Sequence, residues 1–214
     1  LNKYLKIILG VLGAILLGIG LLVVVFLLEM KPDKDEEEKV KFQTEQYLEG
    51  KFNNNFEIYD TLFDNMGNFE FEYAAKVRDN KTNTDFLVYY DDETKQMVDT
   101  YIAEKWEYDL ATEIRPYIKG NFGETTNFFV YFNPKKIRQE LDIDPMNPKS
   151  YKEIEVSPTI RIARPAKRSS GDEEIVNEFI SFLINEDKLQ HGSVIMEYIA
   201  ENGVILDDEW SKEF

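Results

Sequence analysis

The chain has 214 residues, with 41 acidic against 25 basic side chains and a formal net charge of −16. So acidic a balance argues against a nucleic-acid partner, because a phosphate backbone is bound through a positive footprint. The absence of Cys excludes disulfides, thiol catalysis, Cys-ligated zinc and a lipid-modified Cys.

Ile7 to Leu28 are 22 consecutive uncharged, mostly apolar residues. At 1.5 Å each they reach about 33 Å, enough to cross a hydrocarbon core of roughly 30 Å. No Pro interrupts the run, and its glycines, Gly10, Gly13, Gly18 and Gly20, are tolerated in lipid. A transmembrane helix is expected, with the lipid bilayer as the partner of residues 7–28 and with residues 1–30 forming a cytoplasmic stub and anchor. The rival reading is a cleaved signal sequence, whose apolar core of about 7 to 15 residues ends at a small-x-small site; this run fits neither feature. Lys3 and Lys6 precede the span, while Glu29, Asp33, Asp35, Glu36, Glu37 and Glu38 outnumber Lys31, Lys34 and Lys39 beyond it. The predicted orientation is N-terminus inside, remainder outside. Gly10, Ala14 and Gly18 fall four apart and form a stripe of small residues, a candidate helix–helix contact with another copy or another membrane protein.

Residues 31–39 read as an acidic spacer or a frayed helix start. Val40, Tyr47, Leu48 and Phe52 suggest a first amphipathic helix, broken by Asn53-Asn54-Asn55. Phe56 to Phe63 reads as a strand and Asn65 to Asn68 as a turn. Phe69, Phe71, Tyr73 and Ala75 alternate with polar or small residues, the period-two signature of a half-buried strand. After a turn over Asp79 to Thr84, Phe86-Leu87-Val88-Tyr89-Tyr90 suits a central strand, completing a three-strand meander. Ile102, Trp106, Leu110, Ile114 and Ile118 recur every four residues and predict an amphipathic helix over Asp99 to Lys119, with Pro116 distorting its last turns. Helix, meander and helix make residues 40–123 one α+β region.

This order of acidic helix, meander ending in Phe86-Leu87-Val88-Tyr89-Tyr90-Asp91-Asp92, and Tyr101-Ile102-Ala103-Glu104-Lys105-Trp106-Glu107 resembles a group of uncharacterised membrane-anchored surface proteins of Gram-positive bacteria over about residues 35–120. The resemblance implies an envelope location and assigns no activity to any residue.

Residues 124–214 read as a second α+β region, either separate from the first or continuous with it. Phe128 to Phe132 reads as a strand and Lys135 to Leu141 as a short helix. Tyr151, Ile154 and Val156, then Ile160 and Ile162, suggest strand segments interrupted by Pro158. Ser170 and Glu173 fit a capping box opening a helix that buries Ile175, Val176, Phe179, Ile180 and Leu183. Val194 to Ile199 and Val204 to Leu206 are expected to be closing strands, and Asp207 to Phe214 a loosely held acidic tail.

Chemistry-bearing patterns are sparse. His191 is the only imidazole and lies beside Gly192 in a connector, with no nucleophile or ligand set near it in sequence. Asp91-Asp92-Glu93 follows the central strand as an acidic turn. Asp142 and Asp144, with Glu153, approach a calcium loop, but Met146 and Asn147 stand where the loop needs a ligand and a glycine. Arg161, Arg164, Lys167 and Arg168 form a basic patch, a candidate anionic-partner site or a balance for the protein's own carboxylates. No phosphate loop, nucleophile elbow or metalloprotease helix is present, and no catalytic residue, cofactor or metal is assigned.

The expectation is an α+β protein: an N-terminal transmembrane helix followed by an exported domain of antiparallel sheet with packed amphipathic helices. Its predicted function is non-enzymatic binding or scaffolding outside the cell membrane, with another envelope protein or a wall component as partner and a homo-oligomer as one form. The alternatives are an accessory subunit docked through its membrane helix, and an envelope hydrolase using paired carboxylates.

Overall fold

The computed structural model describes residues 2–52, 55–141, 143–200 and 203–214. Asn53 and Asn54 of the expected helix break, Asp142 of the calcium-loop approach and Asn202 of the last expected turn lie outside the described residues. An apolar helix long enough to span a membrane is followed by sheets with packed helices. In chain order the elements are α1 (Lys3–Glu29), α2 (Lys34–Lys51), β1 (Phe56–Phe63), β2 (Tyr73–Asp79), β3 (Thr84–Asp91), β4 (Gln96–Asp99), α3 (Tyr101–Phe122), β5 (Asn127–Tyr131), α4 (Pro134–Glu140), a 3₁₀ turn (Tyr151–Glu153), β6 (Thr159–Arg164), α5 (Asp172–Asn185), β7 (Ser193–Ile199) and β8 (Ile205–Glu213). One sheet has the order β1-β2-β3-β4 and the other β5-β6-β7-β8. The expected three-strand meander therefore gains a fourth, four-residue strand, β4.

The chain divides into two compact units that interleave along the sequence: residues 1–47, 58–76 and 88–98, and residues 48–57, 77–87 and 99–214. In the first unit, α2 starts at Lys34, inside the segment read as a spacer or a frayed helix start. The Asp33 carboxylate accepts the Asp35 amide at 2.8 Å, and Asp35, Glu36 and Glu37 place negative charge on the first turn. The expected strand from Phe69 does not form, and β2 begins at Tyr73. Asp64 accounts for the difference, because its carboxylate accepts the amides of Met66 and Phe69 at 3.1 and 2.7 Å and curls the chain into a loop. The Phe69 and Phe71 rings stack at 5.1 Å and Phe71 meets Tyr89 of β3 at 4.6 Å, so their alternation in sequence reports aromatic packing within a loop. Asp91 builds a turn of its own, accepting from the Glu93 amide and the Thr94 hydroxyl, with Lys95 closing it at φ 58°.

In the second unit the α3 stripe is fully realised. Trp106, Leu110, Ile114 and Ile118 are 0% exposed and Ile102 8%. The helix runs on through Pro116 to Phe122 and stops at Gly123, whose φ of 106° suits glycine. Phe52, Phe56, Phe86 and Tyr101 form an aromatic cluster with ring centroids 4.8 to 6.1 Å apart.

The second sheet differs from the all-antiparallel expectation in one place. β5 pairs antiparallel with β6 and β7 with β8, but β6 and β7 are parallel. The cause is α5, a crossover helix that returns the chain to the same end of the sheet before β7 begins. One face of this sheet is covered, burying Val130, Ile160, Ile162, Val194, Met196 and Tyr198. The α5 residues Val176, Phe179, Ile180 and Leu183 are also buried, and Phe179 meets Tyr117 and Phe122 of α3 at 5.4 and 5.7 Å. Ile175 is only half-buried.

Three local expectations are corrected here. Tyr151 opens a 3₁₀ turn, not a strand, because the Ser150 hydroxyl caps the Lys152 amide. Ser170 does not cap α5: Gly171 holds the cap position, and Asp172 instead accepts the Ser169 amide and hydroxyl, both at 2.7 Å. The acidic tail is not loose, since β8 pairs residue by residue with β7 from Ser193↔Glu213 to Glu197↔Glu209, and Phe214 and Gly192 exchange amide hydrogen bonds at 3.0 Å.

Candidate functional site

The membrane helix is the first functional surface. The large apolar side chains from Val11 to Leu28 are 43% to 78% exposed. No protein layer covers them, and exposure of that extent in water is incompatible with the hydrophobic effect, so lipid is the fitting solvent. Gly10, Ala14 and Gly18 all lie on α1, and a Cβ added at Gly10 or Gly18 would meet nothing within 4 Å. The stripe is open to an approaching helix.

The basic patch is differently disposed. Arg161, on β6, pairs with Glu197 on β7 and lies 6.0 Å from the Phe129 ring. Arg164 donates to Asp172 at 2.5 Å. Arg168 is also engaged, and Lys167 is exposed. At least two of the four charges thus serve the fold directly, stitching β6 to β7 and to the start of α5.

His191 lines a groove of about 460 Å³ with Tyr151, Lys152, Glu155, Lys188 and Leu189 among its walls. Under the groove, Glu113 of α3 is a three-way acceptor for Lys152 Nζ at 2.8 Å, Lys188 Nζ at 3.2 Å and the Tyr151 hydroxyl at 3.3 Å. Burial alone would raise the Glu113 carboxyl, but the two ammonium groups reverse that and hold it below the ordinary range. The same Glu113 charge adds to burial in pushing the Tyr151 hydroxyl far up, so it stays neutral. This assembly ties α3 to the 3₁₀ turn and to the turn after α5. It was missed in sequence because Glu113 lies 38 and 39 residues from Tyr151 and Lys152 and farther still from Lys188, and the four carry no motif.

A second, half-buried polar group also lacked a sequence signal. Glu104 and Glu107 lie three residues apart on α3, and Glu107 Oε1 accepts the Phe132 amide at 2.8 Å. Loss of hydration, with the facing Glu104 charge, pushes Glu107 up to about 8, and burial raises Glu104 as well. The only hint was a pair of acids at i, i+3 flanking Trp106 on an otherwise apolar face. Among the described residues, no group of three or more His, Asp or Glu could hold a metal ion.

No protein-family model matches the chain, and no characterised protein or solved structure matches it. Function must therefore be argued from the surfaces themselves: an uncovered apolar helix, a mixed-charge groove, and polar clusters whose groups are largely bonded to one another.

Proposed function

We propose that the chain is a single-pass membrane protein whose folded part lies outside the cell and binds or scaffolds another envelope component without catalysing a reaction. The observation that carries this reading is α1, whose apolar side chains are exposed along its length while the rest of the chain packs ordinary buried cores. Orientation is supported by Lys3 and Lys6 before the span against the acidic run after Glu29. A binding role is supported by the commitment of the clustered carboxylates: Asp172, Glu113, Asp79 and Asp91 each accept several donors from their own surroundings. The envelope location implied by the resemblance over residues 35–120 agrees with it.

The chain has no Cys, so a single introduced one reports its own side of the membrane. Met146→Cys, at a 43% exposed position, is expected to react with a membrane-impermeant maleimide in intact cells. Reaction only after lysis would refute the outward orientation. The open stripe at Gly10, Ala14 and Gly18 supports a second reading, an accessory subunit docked through α1. Replacing all three with Leu is then expected to abolish co-purification of the membrane partner, while an unchanged partner set would refute that docking.

A further inference from the structure

The loop between β1 and β2 reverses the arrangement expected of a turn that faces water. Its acid is inside: Asp64 is 8% exposed, and its carboxylate accepts the Met66 amide, Asn68 Nδ2 and the Phe69 amide at 3.1, 3.2 and 2.7 Å. Its apolar side chains are outside, with Met66 75% and Phe69 51% exposed. Asn65 to Phe69 carry no charge, in a chain with 41 acidic side chains. Gly67, at φ 70°, lets the tip turn.

This loop is fastened to the exit of α1. Met30 caps that helix, its amide donating to the Phe26 carbonyl at 3.0 Å. Asn65 Nδ2 meets Met30 Sδ at 2.8 Å, and the Asp33 amide donates to the Tyr73 hydroxyl at 2.8 Å. Tyr73 opens β2 and stacks at 4.8 Å on Phe63, which ends β1, so this pair of rings is the base of the loop. The base is held by Asp33, and Asn65, closer to the tip, is held by Met30, which is nearer to α1 in the chain. From base to tip the loop therefore runs toward the end of the apolar helix.

We propose that Met66 and Phe69 form a second membrane contact, entering the bilayer interface beside α1. The proposal rests on the reading of α1 as a membrane span. The apolar run ends at Leu28, and Met30 lies about 3 Å farther along the helix axis, inside an interfacial layer of roughly 5 to 8 Å. Asn65 touches Met30 and shares that layer, and Met66 is its neighbour in the chain. Lipid is the fitting occupant because the tip is continuous with Met30, itself 42% exposed, and with the uncovered side chains of α1. The exposed acids Glu70 and Glu72 on the returning limb limit the insertion to the tip. One helix leaves the first unit free to pivot about residues 30–33, whereas a helix and a loop together fix its attitude to the membrane.

The test places single cysteines in the full chain, which has none of its own, as Met66→Cys, Leu17→Cys within α1 and Asp92→Cys in the turn after β3. Each carries the same nitroxide label in bilayers of phosphatidylcholine. Collision of the label with oxygen, which concentrates in lipid, is compared with collision with a water-soluble nickel chelate. The oxygen-to-nickel ratio at Met66 is expected to lie severalfold above that at Asp92, whose side chain is 86% exposed, and below that at Leu17. Adding Phe69→Asp to Met66→Cys is expected to bring the ratio down to the Asp92 level. A Met66 ratio equal to that of Asp92, with Leu17 in lipid, would overturn the loop contact and leave the span standing; a ratio unchanged by Phe69→Asp would also overturn it. Nickel access at Leu17 as free as at Asp92 would remove the span and the proposal with it.

Discussion

Replacing Asp172 with Ala is the sharpest test of how the second unit holds together. This carboxylate is 1% exposed and accepts from Arg164 Nη1, the Ser169 amide and the Ser169 hydroxyl. Truncation strands the Arg164 guanidinium, itself 26% exposed, and leaves the Ser169 amide without this acceptor. Breaking one side of a buried ion pair costs about 3–5 kcal/mol, and the partial hydration of Arg164 places the expectation near 4 kcal/mol. For a chain of this length that is a fall of about 10 °C in thermal midpoint. Urea unfolding of the full chain in micelles, followed by Trp106 and Trp210 fluorescence, measures it. Arg164→Met and the double variant complete a cycle, in which the double is expected to lose less than the two singles together. A single-variant loss below about 1 kcal/mol, or additivity within about 0.5 kcal/mol, would refute the reasoning. Burial alone would raise the Asp172 carboxyl; the Ser169 donors, the Tyr198 hydroxyl and Arg164 more than reverse it and hold it below 3.8. Its stabilisation is therefore present above that value and lost as the pH falls through the lowered one.

Ile114→Ala empties a site that is 0% exposed in the α3 stripe, and calorimetry is expected to record a loss of about 2–4 kcal/mol; a loss under about 1 kcal/mol would mean that the helix face is not packed as described. Gly192→Ala would bring a Cβ within 2.8 Å of the Pro158 carbonyl oxygen and 3.0 Å of Leu189 Cδ2. A cost of about 1–3 kcal/mol is expected, with faster amide hydrogen exchange at Phe214, whose bonds to Gly192 close β8; unchanged exchange there would refute the tight approach.

What could be read in the sequence divides along physical lines. The membrane span and the α3 stripe were legible because each is a local composition or period imposed by one solvent: lipid for Ile7 to Leu28, a protein core for Ile102 to Ile118. β8 was not, because Glu209, Lys212 and Glu213 describe a strand whose pairing comes from β7 and whose side chains at those positions face water. The alternation through Phe69 and Phe71 misled for the converse reason, as rings packed on each other and on Tyr89 from a loop mimic the period of a strand. The clusters at Glu113, Asp172 and Glu104–Glu107 depend on groups brought together from distant elements or across helical turns. Their electrostatics exist only after folding, so composition shows abundant acids without showing which are buried.

The two borders of the second sheet have unequal chemistry. β8 carries Glu209, Lys212 and Glu213 along its edge, charges that resist pairing with a stray strand, whereas β5 is Asn-Phe-Phe-Val-Tyr, with Phe129 54% and Tyr131 49% exposed and no charge of its own. A helix such as α1 confines its owners to a plane and raises their local concentration. Of the two borders, β5 is therefore the one whose own residues offer no charge against edge-to-edge pairing with a neighbouring copy.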